Sequence, residues 1–122
     1  MGEQSVPHGL PPSSPDDPIY LPANSIREYF NQSQYPQLIA EGKLQQQILK
    51  SRHLTQPEKV QEPYCTHSQA IRYLDKGGNW VVIVHQYLRR DNTLGGSGQA
   101  DPKRLKIGDQ IYVSEREKPR TQ

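Results

Sequence analysis

Between Ser25 and Val113 the alternation of apolar and polar positions changes period. Ser25-Ile26-Arg27-Glu28 matches a capping box, in which a Ser hydroxyl accepts from the third helical N–H and the Glu reaches back. It predicts a short helix through Phe30, interrupted at Asn31, Gln32 and Ser33. Tyr35-Pro36 suits a second helical start. From Pro36 to about His53, Leu38, Ile39, Leu44, Ile48 and Leu49 fall mostly on one face at a period of 3.6. Gln45, Gln46, Gln47 and Lys50 make the other face. Gly42 costs that helix about 1 kcal/mol against Ala.

Beyond the polar link Glu58 to Pro63 the period shortens to two. Gln69 to Asp75 and Trp80 to Leu88 read as strands, joined by the turn Lys76-Gly77-Gly78-Asn79. In the second strand Val81, Ile83, His85 and Tyr87 point one way, and Trp80, Val82, Val84, Gln86 and Leu88 the other. Apolar residues on both faces predict a central strand. Leu105–Ile107 and Gln110–Val113 flank Gly108-Asp109, a two-residue turn with Gly first. The expected architecture is α+β: N-terminal helices packed on a small antiparallel sheet of three to four strands.

Composition changes the picture at the ends. Only 32% of the 122 residues are hydrophobic, and six of the 11 prolines lie in residues 1–22. That segment carries Glu3, Asp16 and Asp17 and no Lys or Arg. It reads as a disordered Pro-rich tail, followed by one domain over 23–113 and a frayed end over 114–122. Subtracting the tail's −3 from the net +2 leaves +5 on the rest, a mildly basic body. No run approaches the roughly 18 apolar residues of a membrane helix. No secretory signal is visible, and the single Cys65 forms no internal disulfide. These features lead to the expectation of a cytoplasmic protein without membrane contact.

Chemistry concentrates in the loop Arg89 to Arg104, long beside the usual connection of about 4–6 residues. Arg89, Arg90, Lys103, Arg104 and Lys106 flank Gly95-Gly96-Ser97-Gly98, whose N–H groups suit an anion nest. The run lacks the spacing of a P-loop or a dinucleotide fingerprint. Asp101-Pro102-Lys103 suits the start of a short helical turn. Tyr73, Trp80 and Tyr87 supply stacking for single strands if exposed, although Trp80 reads as core. Cys65, His67 and His85 are the metal-capable side chains, but they match no standard zinc spacing, so no metal and no cofactor is expected.

His85-Gln86-Tyr87-Leu88-Arg89, followed by Asp91, Thr93, Gly95, Ser97-Gly98 and Asp101-Pro102-Lys103, resembles a motif of small uncharacterised bacterial proteins, approximately HQYxRPDGTxGxSGxPDPK. The resemblance covers residues 85–103 and departs at Arg90, Asn92 and Ala100. It implies that strand and loop form one unit, and it implies no activity.

The leading expectation is a non-enzymatic binding or adaptor protein. Its surface would be the basic Gly-rich loop and strand end: Arg89, Arg90, Lys103, Arg104, Lys106, His85 and Tyr87. The partner is a protein, slightly favoured by the Gln-rich and Pro-rich segments, or a nucleic acid. One alternative is a metal-independent RNA-cleaving enzyme with His67 and His85 as base and acid. Another is a structural subunit of a larger assembly, marked by an exposed apolar patch.

Overall fold

The computed structural model describes residues 17–118. Of the tail expected over residues 1–22 and the frayed end expected over 114–122, residues 1–16 and 119–122 lie outside the described residues. The chain runs β1 (Ile19–Leu21), α1 (Ala23–Gln32), α2 (Tyr35–Ala40), β2 (Gln45–His53), β3 (His67–Leu74), β4 (Trp80–Leu88), β5 (Asp101–Ile107) and β6 (Gln110–Ser114). Short 3-10 turns lie at Pro57–Val60 and Glu115–Glu117. The strands form one six-stranded sheet in the order β1-β6-β5-β4-β3-β2. β2 to β6 make an antiparallel meander, and β1 adds to β6 in parallel.

This corrects the expected α+β class with three to four antiparallel strands. The sheet is mixed and has six strands, the helices are short, and the molecule is mostly β. The long helix over Pro36–His53 is the main error. Its start is as read, with Pro36 in the first turn. Gly42 then adopts φ +71°, its N–H donates to Ile39 O, and the Lys43 N–H donates to Leu38 O. That is a Schellman stop, and only a residue free in the left-handed region takes it cheaply. The helix-forming residues after it form a strand paired with β3 from Gln45↔Leu74 to His53↔His67, since tertiary pairing overrides local preference. The capping box is also unused. Pro22 caps α1 through its carbonyl, which accepts from Ser25 and Ile26, so Ser25 and Glu28 lie inside the helix.

Both expected turns form. The Asp75 carboxylate accepts from Gly77 and Asn79 N–H in the first. Gly108 takes φ +59° in the second. Ile19–Leu21, inside the segment read from composition as tail, is an edge strand. Asp101-Pro102 opens β5 rather than a helical turn. Pro102, opposite Val84, is tolerated beside a bulge at Lys103, which falls between the pairs Val84↔Pro102 and Ile83↔Arg104.

The core sits on one face. Ile26 and Phe30 of α1 pack against Ile71, Tyr73, Val82, Val84 and Leu105. Five of these seven, Ile26, Ile71, Val82, Val84 and Leu105, are completely shielded from solvent. Removing such a side chain to Ala costs about 2–5 kcal/mol.

Candidate nucleic-acid interface

Residues opposite one another in a sheet share a face, and successive residues alternate. The row Gln46, Tyr73, Val82, Leu105 and Tyr112 holds much of the core. The next row therefore points away from the helices. It runs through all six strands: Gln47, Arg72, Ile83, Arg104, Val113 and Tyr20. Two further rows on that side read Lys50, Ala70, His85, Asp101 and then Arg52, Ser68, Tyr87. Lys50, Arg52 and Arg104 are exposed, while Arg72 is half-buried.

A bulge adds an aromatic. Trp80 pairs with Leu74 and Val82 with Tyr73, so Val81 is the extra residue. Val81 turns into the core, and Trp80 turns onto the helix-free side. There Lys106 Nζ lies 4.6 Å from the ring centroid, a cation–π contact. Lys118 makes a looser one over Tyr20, at 5.5 Å. The helix-free face thus carries Lys50, Arg52, Arg72, Arg104 and Lys106 interleaved with Trp80, Tyr87 and Tyr20. Among the described residues, the 3-10 turn at Glu115–Glu117 and the adjoining Lys118 lie over this face from Tyr20 of β1 to the neighbourhood of His85 of β4, where Glu117 and Asp101 add negative charge.

Local contacts fix these side chains. Arg72 Nε donates to Gln47 Oε1 at 2.9 Å. The Ser68 hydroxyl and His85 Nε2 are hydrogen-bonded at 2.7 Å. The His85 ring meets Tyr87 edge to face, 4.8 Å between centroids. Burial holds the His85 imidazole below its ordinary range; Lys103 adds to the shift, and Asp101 and Glu117 oppose it. His85 is therefore a neutral hydrogen-bonding group near neutral pH.

The expected basic loop is organised differently. Arg89 Nε donates to Glu62 Oε1 at 2.8 Å, and the Glu62 side chain is only 2% exposed. Glu62 Oε2 accepts from the Gly96 N–H at 2.6 Å. The expected anion nest is thus replaced by a single contact to Glu62, since the Gly95 N–H donates to Tyr87 O and the Gly98 N–H to Gly95 O. The hydrogen bond from Arg89 holds this carboxyl below the usual carboxylate range; burial opposes the shift, and Gly96 and the Arg89 charge assist it. Lys103 pairs with Asp101 at 3.0 Å, and Arg27 pairs with the same carboxylate at 2.6 Å. Of the five expected cations, Arg89 and Lys103 are occupied and Lys106 covers Trp80. Arg90 and Arg104 form no side-chain hydrogen bond or ion pair among the described residues.

The two histidines are not brought together. His67 pairs with Leu88 and His85 with Ala70, which places them on opposite faces. His67 instead meets His53 edge to face at 4.8 Å. Cys65, His67 and His85 form no common site, and among the described residues no three His, Cys, Asp or Glu side chains gather as a metal site. Tyr73 is core, not a stacking surface.

Sequence reasoning missed Lys50, Arg52, Arg72 and Glu62, and took Trp80 as core. For Arg72 a signal existed, because Ile71 and Tyr73 flank it in a period of two. No described helix is long and apolar enough to cross a membrane. No family model, no curated protein and no solved structure matches this chain.

Proposed function

We propose that this protein is a non-catalytic binding module for single-stranded nucleic acid, working through the helix-free face of its sheet in the cytoplasm. The observation that carries this reading is the register. It sets five Lys and Arg side chains from β2, β3 and β5 on one face with Trp80, Tyr87 and Tyr20. Phosphates supply affinity to such cations by releasing counterions. Aromatic side chains on a sheet stack on unpaired bases, worth about 1–3 kcal/mol per base. A duplex hides those base faces, so the interleaving favours single strands. Binding rather than cleavage fits the site, since His67 and His85 offer no acid–base pair across the sheet.

The test is fluorescence anisotropy with labelled single-stranded RNA and DNA over a series of salt concentrations. The logarithm of affinity is expected to fall linearly with the logarithm of salt, by about 0.7 per phosphate contacted. Arg72→Glu with Arg104→Glu is expected to weaken binding at least about tenfold at low salt and to flatten the slope. A matched duplex is expected to bind more weakly. Absence of binding at low salt, or equal affinity for the folded double variant, overturns the proposal.

A further inference from the structure

Two cavities meet where β4 outruns its neighbour. β5 pairs with β4 no further than His85↔Asp101, while β4 continues to Leu88. The chain then folds back, with Leu94 bridging Leu88 and the Gly95 N–H donating to Tyr87 O. The gap holds a polar cleft of about 210 Å3. His85 and Tyr87 line it from the helix-free face, and Arg27 of α1 lines it from the other side. A second, more apolar cavity of about 340 Å3 lies on the helix side, walled by Phe30, Tyr73, Val84 and Leu94. Gln86 and Gln99 line both. The cavities therefore share a wall, the polar cleft beside the end of β5 and the more apolar pocket on the helix side.

We propose that this pocket receives one base of the bound strand and reads its identity; the inference rests on the nucleic-acid reading above. Three carboxamides, Asn31, Gln86 and Gln99, line the pocket. Gln86 Nε2 donates to Gln69 Oε1 at 3.0 Å, which leaves the Gln86 carbonyl free to accept. Asn31 and Gln99 make no side-chain hydrogen bond among the described residues, and both are exposed. A carboxamide sets a donor beside an acceptor, the pattern that a base edge complements, while the half-buried Ile39, Leu94 and Ala100 offer apolar surface to the ring. Beside the pocket, Arg27 and Lys103 meet a single carboxylate, Asp101, so two cations face one anion. The remaining charge suits the phosphate next to the inserted base. A base from a single strand enters cheaply, because no pair has to be broken.

The test compares oligomers of A, C and U of equal length by anisotropy with the full chain. A preference of about tenfold for one base is expected, the scale of a good carboxamide–base pair. Gln99→Ala and Asn31→Ala, both at exposed positions, are expected to level the three affinities without changing the salt slope. Arg72→Glu with Arg104→Glu is expected to lower all three together. Equal affinities in the wild type, or a preference that survives both amide variants, overturn the pocket and leave the face intact. If no oligomer binds, the face reading fails. The pocket is then decided by NMR titration with 5′-nucleoside monophosphates: selective shifts at Tyr73 and Gln99 support it, and none at millimolar nucleotide overturns it.

Discussion

The Glu62 carboxylate fills the space that a side chain at position 95 would need. An added Cβ at Gly95 would overlap the carboxylate, its Oε1 most closely, and the carboxylate is itself held by Arg89 and the Gly96 N–H. Gly95→Ala is therefore expected to destabilise the fold by about 1–3 kcal/mol, the usual cost of overpacking. Glu62→Ala removes the obstacle, so the double variant should lose less than the sum of the two single losses. Urea denaturation of all four proteins measures that coupling.

Glu62 also sets an acid limit on the loop. Its pKa is lowered in the folded state, so its contribution is complete above the ordinary carboxylate range and is lost as pH falls through the folded value. The protection of the Gly96 amide, measured as exchange corrected for intrinsic chemistry, is expected to fall with acid in the wild type. In Glu62→Gln the exchange, corrected for intrinsic chemistry, should already be fast at neutral pH and should lack this acid dependence.

His85 behaves with the same sign for a different reason. Burial lowers its folded pKa, so the unfolded chain takes up a proton first as pH falls below about 6.5. Stability should decline on acidification through that window and level off once the folded imidazole also protonates. His85→Gln is expected to remove this component as pH falls below about 6.5, measured as the difference in denaturant midpoint.

Trp80 is the only tryptophan, and it stands on the helix-free face beneath Lys106. Its emission should be quenched by single-stranded oligonucleotide and should shift in Lys106→Ala without ligand. Loss of the cation–π contact costs about 0.5–1 kcal/mol. Emission unaffected by a saturating oligonucleotide would place the bound strand elsewhere.

The meander was legible where the period of two was unbroken. Trp80–Leu88 agrees with the strand read from sequence, and the turns at Gly77-Gly78 and Gly108-Asp109 stand where the glycines put them. What could not be read depends on neighbours. Gln45–His53 has helical composition and is a strand through its pairing with β3, a contact made with residues outside the segment. Trp80 reads as core until the bulge at Val81 reverses its side. Of the expected site residues, Arg104, Lys106, His85 and Tyr87 share the helix-free face. Arg89 turns inward because Glu62, 27 residues earlier, meets it, and no local pattern reveals a pair so far apart.

The parallel contact of β1 with β6 also bears on how the chain comes to be folded. Every other pairing joins consecutive strands, so each hairpin can close over a short separation. β1 pairs Ile19 with Tyr112 and Leu21 with Ser114, across most of the chain. During synthesis its place in the sheet does not exist until β6 has emerged. Among the described strands, β1 is thus the last to dock although it is made before its partner, and it is the first expected to open when the edge of the sheet frays.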